Sequence, residues 1–202
     1  MTFYAEYEQD RWLEEHLFRG KHGGVFVEFG AFDGVFHSNT AFFEGERNWS
    51  GVLVEANPVM FTRLLASGRH AAKVLGAVGA EFGIAEFTAV EGTAGWSGIW
   101  DHMDLRHRER IGSAVVQRYC VPTMPLAAIL DRHGLVDIDL LSVDVEGAEF
   151  AILEALDFSR YRIAVLMVEN NYGDPAVERM LAASGYRKIA RLVIDDIYER
   201  TS

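Results

Sequence analysis

The chain has 202 residues, half of them apolar, which suits one globular domain with a full core and leaves little room for a second. Its 19 basic against 30 acidic residues give a formal net charge of -11, so we expect neither a nucleic acid nor a membrane as partner. The single cysteine, Cys120, excludes an internal disulfide and a cysteine metal site, and predicts a reducing, cytoplasmic location.

Residues 1–22 form a charged segment without a basic start or an apolar stretch, which predicts an amphipathic helix packed on the domain. Short apolar runs rich in β-branched residues follow, with helical patterns between most of them, at 25–29, 51–55, 73–78, 138–143 and 163–168. Runs that are apolar on both faces predict parallel strands covered by helices on both sides, so the fold class is α/β. Two strand-like segments near the C-terminus have almost no residues between them. This predicts that they pair antiparallel at the C-terminal edge of the sheet.

Two regions depart from this alternation. Residues 84–90 alternate as an extra strand, and residues 91–114 are glycine-rich, then aromatic, then heavily charged. Such a segment is typical of a lid or substrate loop over a binding site. The alternative is a solvated loop that leads into a surface helix.

The first strand runs into a turn whose glycines are Gly30 and Gly34, without the close glycine pair that a pyrophosphate requires. Glu28 and Asp33 beside this turn would repel a pyrophosphate and suit a cationic ligand. Glu55 closes the second strand about 20 residues later, where an acid can accept both hydroxyls of a ribose. A cationic nucleoside therefore fits best, and the common one is S-adenosylmethionine.

Acids also follow the later strands. Asp144 and Glu146 come after run 138–143, and Glu169 and Asn170 follow run 163–168. Ligands of open α/β sheets bind outside the carboxyl ends of the strands, so these side chains are candidates for the active site. For Glu146 and Glu149, capping of the next helix is the alternative.

The motifs VFVEFGAFDGVFHSNT, GVLVEANP, LLSVDVEGAEFAILEAL and VLMVENN occur in this order over about residues 24–172. In them the chain resembles the FkbM family of class I S-adenosylmethionine-dependent methyltransferases. The resemblance implies a Rossmann-like, doubly wound, mostly parallel seven-stranded sheet with an antiparallel C-terminal strand and helices on both faces. It also implies one methyltransferase domain over residues 1–202.

The resemblance further assigns cofactor contacts by position. Glu28, Gly30 and Asp33 belong to the first cofactor motif. Glu55 belongs to the ribose, and Ala77 and Val78 to a loop beside the adenine. We expect Ser38 and Asn39 to bind the methionyl carboxylate through free N–H groups at a helix start. Phe32 departs from the family, where a polar Asn is common.

Methyl transfer to oxygen requires that the hydroxyl proton be removed or neutralised. One solution is a general base, for which His37, His102 and Glu146 are candidates. The other is a divalent cation such as Mg²⁺, for which Asp144, Glu169 and Asn170 would supply oxygen ligands on neighbouring strand ends. The alternative for Asp144 is a contact with the methionyl ammonium.

We expect the acceptor to be recognised by the loop at residues 95–98, with Trp96 and Ser97, and by Trp100 and Tyr172. The alternative is that Trp96 and Trp100 only pack on the sheet edge. The resemblance implies O-methylation of a hydroxyl on a small natural product or sugar, and a homodimer would complete the pocket of so short a chain.

Two rival functions remain open. A nicotinamide-dependent oxidoreductase would also use Glu55 on a ribose, but it predicts glycine at the position of Phe32. A catalytically silent methyltransferase fold that serves as a partner subunit predicts loss of the cofactor acids, and these are present.

Overall fold

The computed structural model describes residues 1–92, 96–112, 114 and 116–201. Helices and strands alternate in the first and last thirds of the chain, and strands dominate the middle. The elements are α1 Gln9–Leu13 with a π-helical turn Glu14–Phe18, β1 Val25–Phe29, α2 Ala41–Arg47, β2 Ser50–Glu55, α3 Pro58–Ala66, β3 Ala72–Leu75, β4 Ala77–Gly79, β5 Gly83–Val90, β6 Gly98–Ile99, a 3-10 turn Trp100–His102, α4 Leu105–Ile111, β7 Val116–Pro125, α5 Leu126–His133, β8 Asp137–Val143, α6 Glu149–Glu154, β9 Arg162–Glu169, α7 Ala176–Ala183, β10 Tyr186–Leu192 and β11 Asp195–Arg200.

Seven strands form the main sheet, in the order β10-β11-β9-β8-β1-β2-β3. The five strands from β9 to β3 pair in parallel, and Val27 of β1 lies between Val52 of β2 and Leu141 of β8. β11 is antiparallel to β10, since only two residues connect these two strands. It is also antiparallel to β9. The predicted fold class, a mostly parallel seven-stranded sheet with an antiparallel C-terminal strand, is confirmed.

A second sheet with strand order β4-β7-β5-β6 was not predicted. Gly76, with a φ of 148°, lies so close to Pro122 and Met124 that a side chain would not fit, and here the predicted strand 73–78 divides into β3 and β4. The predicted strand at 84–90 is confirmed as β5, and it pairs with β7. β7 escaped sequence analysis because two prolines and the polar pair Gln117 and Arg118 interrupt its apolar pattern.

Apolar layers cover both faces of the main sheet. Phe26 and Leu140 pack into one layer, whereas their neighbours Val27 and Leu141 pack into the other. Successive side chains of a strand point to opposite faces, so strands that are apolar throughout require this arrangement. The layers hold the carboxyl ends of the central strands in fixed positions.

The N-terminal segment is shorter in helix than predicted. α1 covers five residues before the π-helical turn, and the Asp10 carboxylate accepts the N–H groups of Tyr4 and Ala5 ahead of it. The amide of Gln9 donates to Asp195 of β11 at 2.6 Å, which ties the segment over the carboxyl end of the sheet. In the described part of the chain, no helix combines the length and the apolar character needed to cross a membrane.

Candidate active site

A cavity of about 650 Å³ opens at the carboxyl ends of the central strands. Its walls include the turn after β1, the end of β2, the start of β4, the turn after β8 and part of α4. Residues 6, 7 and 9 of the N-terminal segment close one side. This is the place where open α/β sheets bind their ligands.

Glu55 ends β2 and lines the cavity. Its Oε2 accepts the N–H of Phe32 at 2.7 Å, and its Oε1 accepts the N–H of Asn57 at 2.6 Å. Each carboxylate oxygen has two lone pairs, so both retain capacity for one more donor. Burial raises the pKa of Glu55 to about 7, although the backbone N–H groups lower it.

The Ser38 to Thr40 block differs from its predicted role. The buried carboxylate of Glu28 accepts the Ser38 and Thr40 hydroxyls and the Asn39 N–H, which lies 2.8 Å away. The N–H groups of Thr40 and Ala41 donate to the Ser38 hydroxyl. The predicted free N–H groups for the methionyl carboxylate are thus already engaged, and Glu28 lies outside the set of cavity-lining residues.

The turn after β1 depends on a glycine and an acid. Gly30 has a φ of 71°, and a Cβ there would overlap the carbonyl oxygen of Asp144 at the end of β8. Asp33 closes the turn, because its Oδ1 accepts the N–H groups of Val35 at 2.9 Å and Phe36 at 2.8 Å. Gly30 lines the cavity, whereas Asp33 does not belong to its lining.

Four other predicted cofactor contacts line the cavity: Ser38, Asn39, Ala77 and Val78. The Asn39 amide donates to Ser142 at 3.1 Å, but its Oδ1 is buried without a hydrogen-bond partner among the described residues. A buried acceptor of this kind normally has a donor, which a ligand can supply. Ala77 and Val78 belong to strand β4 and not to the predicted loop.

Asp144, Glu146 and Glu169 meet at the cavity wall, with one carboxylate oxygen of each within 4.8 Å of the others. Burial and repulsion from neighbouring carboxylates raise the pKa of Asp144 to about 7 and that of Glu146 to about 10. The same causes raise the pKa of Glu169 well above its usual value. Closely spaced carboxylates that ionise with difficulty suit a bound divalent cation or shared protons.

Asn170, the predicted third metal ligand, lies elsewhere. Its amide group donates to Asp196 at 2.8 Å and to the Asp174 carbonyl at 3.0 Å, and its Oδ1 accepts the Asp174 N–H at 2.8 Å. The chain turns after β9, so the next residue, Asn171, faces the carboxylates instead and donates to Glu169 at 2.8 Å. Glu146 completes the cluster in place of Asn170.

Glu146 and Glu149, for which helix capping was the alternative, differ in their contacts. The Glu149 carboxylate accepts the N–H groups of Gly147 at 3.0 Å and Val145 at 3.3 Å, which stabilises the turn before α6. Glu146 has a left-handed φ of 59°, unusual for this residue type, and its side chain lines the cavity. Such backbone strain is found at functional sites.

Sequence analysis missed His107 of α4. Its Nδ1 lies 3.3 Å from Glu146 Oε2, and its Nε2 lies 3.3 Å from the carbonyl oxygen of Trp96. Burial lowers the pKa of His107. His107 and Ile111 of α4 are four residues apart and both buried, a spacing that identifies the inward face of α4.

The two predicted histidines are less enclosed. His37 lines the main cavity, but it stacks on Phe36 with ring centroids 3.7 Å apart and faces Glu6 at 3.5 Å. His102 is exposed and lines a smaller, second cavity. Neither histidine has the buried carboxylate contact of His107.

The predicted acceptor residues separate into three places. Trp96 and Ser97 line the main cavity, and Gly95 ahead of them lies outside the described residues. Trp100 packs in a small apolar cluster, with the guanidinium of Arg108 5.2 Å from its ring, as the packing alternative stated. Tyr172 lines the second cavity.

Comparison with known proteins identifies the type of domain. The family model described as the methyltransferase FkbM domain matches residues 28–188, which include the turn after β1, Glu55 and the three clustered carboxylates. The chain belongs to the FkbM methyltransferase family. The resemblance seen in its motifs is thereby confirmed.

Solved structures agree on the fold of this FkbM domain. A TehB-like SAM-dependent methyltransferase from Corynebacterium glutamicum is similar over 96% of this chain and 88% of that chain, with 8% sequence identity and a TM-score of 0.51. Phosphoethanolamine N-methyltransferase 1 of Haemonchus contortus, in complex with phosphoethanolamine and S-adenosylhomocysteine, is more distant. It matches 96% of this chain and 40% of that chain, with 8% sequence identity and a TM-score of 0.46. No curated protein matches the sequence.

Proposed function

We propose that this FkbM domain transfers a methyl group from S-adenosylmethionine to a hydroxyl oxygen of a small natural product or sugar, assisted by a divalent cation such as Mg²⁺. One observation carries the proposal. A single cavity joins Glu55, at the end of β2, to the clustered carboxylates at the ends of β8 and β9. A ribose-binding acid and a site for hydroxyl chemistry thus share one chamber of a methyltransferase fold.

The cavity suits S-adenosylmethionine in size and in charge. Its volume of about 650 Å³ lies within the usual range for small-molecule sites. Glu55 would accept the ribose hydroxyls, Ala77 and Val78 leave room for the adenine, and Asn39 Oδ1 would accept from the methionyl ammonium. When bound, S-adenosylmethionine supplies an electrophilic methyl group together with a positive charge that acidic walls favour.

The acceptor hydroxyl must lose its proton during transfer. In our proposal Glu146, whose Oε2 lies 3.3 Å from Nδ1 of His107, receives that proton in its ionised form, which the positive charge of a bound cation would favour despite the raised pKa of Glu146. Asp144 and Glu169 would hold the cation, whose chemistry is to lower the pKa of a bound hydroxyl. We propose that Trp96 and Ser97, within the lid at residues 91–114, contact the acceptor, and that a homodimer completes the pocket.

Calorimetric titration with S-adenosylmethionine tests the cofactor. We expect micromolar binding that weakens at least tenfold in Glu55→Gln, which keeps the shape of the side chain but removes its charge. Glu86→Gln, on the exposed side of β5, is the matched control and should bind as the wild type does.

NAD is titrated in a parallel experiment, because a nicotinamide-dependent enzyme would also use Glu55 to bind a ribose. Heat from NAD and none from S-adenosylmethionine would replace the proposal with an oxidoreductase. A wild-type chain that binds neither nucleotide would instead support a silent partner subunit.

A further inference from the structure

The second cavity, of about 200 Å³, adjoins the main one and has no role in the proposed function so far. Four residues line both cavities: His107, Glu146, Glu169 and Asn171. The second cavity therefore borders two of the clustered carboxylates, Glu146 and Glu169, and its lining does not include Glu55. A molecule that occupied it would present its atoms to the groups that we expect to handle the hydroxyl proton.

An exposed aromatic side chain lies in this second cavity. Helical spacing predicts burial of Phe150, Leu153 and Leu156, yet Phe150 is 37% exposed, whereas the two leucines are buried. The buried face of α6 carries Glu149, Ile152 and Leu153 instead, and Phe150 lies about 100° away from Glu149 around the helix. The side chain of Phe150 is thus partly exposed in the second cavity.

Hydrogen-bonding groups line the same cavity as Phe150. The Tyr172 hydroxyl is buried and has no hydrogen-bond partner within the described residues, and Tyr172 lines the second cavity. Glu146 and Glu169 supply oxygens from the shared wall. An apolar platform between a free hydroxyl and carboxylate acceptors complements a ring with a C–H face and hydroxyls at its rim.

The charges around the second cavity disfavour an anionic molecule. Arg106 is the one guanidinium or ammonium group among the described lining residues, whereas the acids include Asp104, Glu146, Glu169 and Asp174. Asp104 holds Arg106 in a two-point contact of 2.9 and 3.0 Å, and the guanidinium lies 3.8 Å over the ring of Tyr172. Asp104 would therefore compete with an anionic ligand for the guanidinium of Arg106.

Resting on the proposed function, we propose that the second cavity is a further subsite for the acceptor, in addition to the contacts of Trp96 and Ser97 in the main cavity, and that it takes an uncharged, polyhydroxylated ring such as a pyranoside. Phe150 stacks on its C–H face, Tyr172 contacts a ring hydroxyl, and a further hydroxyl reaches Glu146. Asp104 sets charge selectivity, because it keeps Arg106 from binding a carboxylate or phosphate.

Saturation-transfer NMR on the full chain, saturated with S-adenosylhomocysteine, tests this assignment. The probes are methyl glucopyranoside, methyl mannopyranoside and methyl rhamnopyranoside, with methyl glucuronoside as the anionic counterpart. We expect a neutral glycoside to bind and the glucuronoside to bind at least fivefold more weakly. Phe150→Ala should weaken the neutral glycoside at least fivefold, whereas Phe82→Ala, another exposed phenylalanine, should not.

Asp104→Asn retains an oxygen for the Arg106 N–H but frees the guanidinium. It should strengthen glucuronoside binding at least threefold and leave the neutral glycoside unchanged. Binding of S-adenosylhomocysteine without any glycoside, or glycoside binding that Phe150→Ala leaves intact, would overturn the subsite alone. Preferred binding of the glucuronoside by the wild type would do the same. Loss of S-adenosylhomocysteine binding itself would instead refute the proposed function.

Discussion

Glu55 links the cavity to pH. Its pKa of about 7 in the folded chain follows from burial, and in our proposal only the ionised form would accept both ribose hydroxyls. The ionised fraction of a group with this pKa falls about tenfold between pH 8 and pH 6. We expect the affinity for S-adenosylmethionine to fall about tenfold over that interval, measured by calorimetry. Glu55→Gln should give a shallower slope, and an affinity that rises on acidification would contradict the assignment.

His107 lies between the acceptor loop and the acid cluster. Because the Trp96 carbonyl can only accept, the Nε2 of His107 carries a hydrogen, and Nδ1 then shares one proton with Glu146. An asparagine places its amide near the position of Nδ1, and a glutamine places it near that of Nε2. The two substitutions therefore separate the two contacts.

We expect His107→Gln, which loses the contact with Glu146, to lower kcat at least tenfold with little change in KM. His107→Asn, which loses the contact with Trp96, should raise the acceptor KM more than it lowers kcat. Steady-state kinetics with an identified acceptor measures both, and cofactor affinity should stay within twofold. Equal losses in both variants would indicate that His107 only fills space.

At the scale of elements, the turn after β1 and the end of β8 approach each other at Gly30. A side chain there would need a left-handed φ and would overlap the Asp144 carbonyl, so we expect Gly30→Ala to lower the free energy of unfolding by about 1–3 kcal/mol or more. Gly45→Ala, in open space on α2, should raise it by up to about 1 kcal/mol. Urea unfolding compares the two, and equal effects would refute a special role for Gly30.

The central strands could be predicted because each is apolar on both faces. The acids at the site could be predicted because they come directly after those strands in the sequence. β7 could not, since Pro122 and Pro125 disrupt its pattern and its partners lie far along the chain. The prediction that Asn170 joins the acid cluster and the prediction that Phe150 is buried differ from the structure for a related reason. Which of two adjacent side chains faces a site depends on local turn and helix rotation, which spacing alone does not fix.

His107 was within reach of sequence analysis. Its position four residues before Ile111 indicates the buried face of α4, but the charged residues around it made the segment look like a solvated surface helix. The contact with Glu146 joins residues 39 positions apart and required the fold. Periodicity thus identifies the inward face of an element, and tertiary structure decides what that face meets.

At the scale of the whole molecule, the acidic excess is concentrated at one end of the sheet. Glu55, Asp144, Glu146, Glu169 and Asp195 all line the main cavity, and burial raises the pKa of each of them. Folding therefore brings together carboxyl groups that the unfolded chain would ionise at ordinary values. In the folded chain without ligands, the crowding of these carboxyl groups lowers the stability, and the same groups would favour a ligand with positive charge.

The stability of the whole chain should depend on pH because of these raised pKa values. A carboxyl group whose pKa is raised by folding contributes stability that is full below its unfolded value, 3.8 for Asp and 4.5 for Glu, and is lost as the pH rises through the folded value. For Asp144 and Glu146 this window reaches from about 4 to about 10. We expect Tm to fall between pH 6 and pH 8.5, by about 3 °C per pH unit for each proton released.

A divalent cation should reverse that loss, because it binds the ionised cluster and competes with protons. In thermal scans, Mg²⁺ should therefore raise Tm more at pH 8.5 than at pH 6. Glu169→Gln removes one ligand and one titrating group, so it should flatten the pH slope and reduce the gain from Mg²⁺. If Mg²⁺ raised Tm equally at both pH values, or equally in the variant, cation binding at this cluster would be refuted. The carboxylates would then serve only to exchange protons and attract the cationic cofactor.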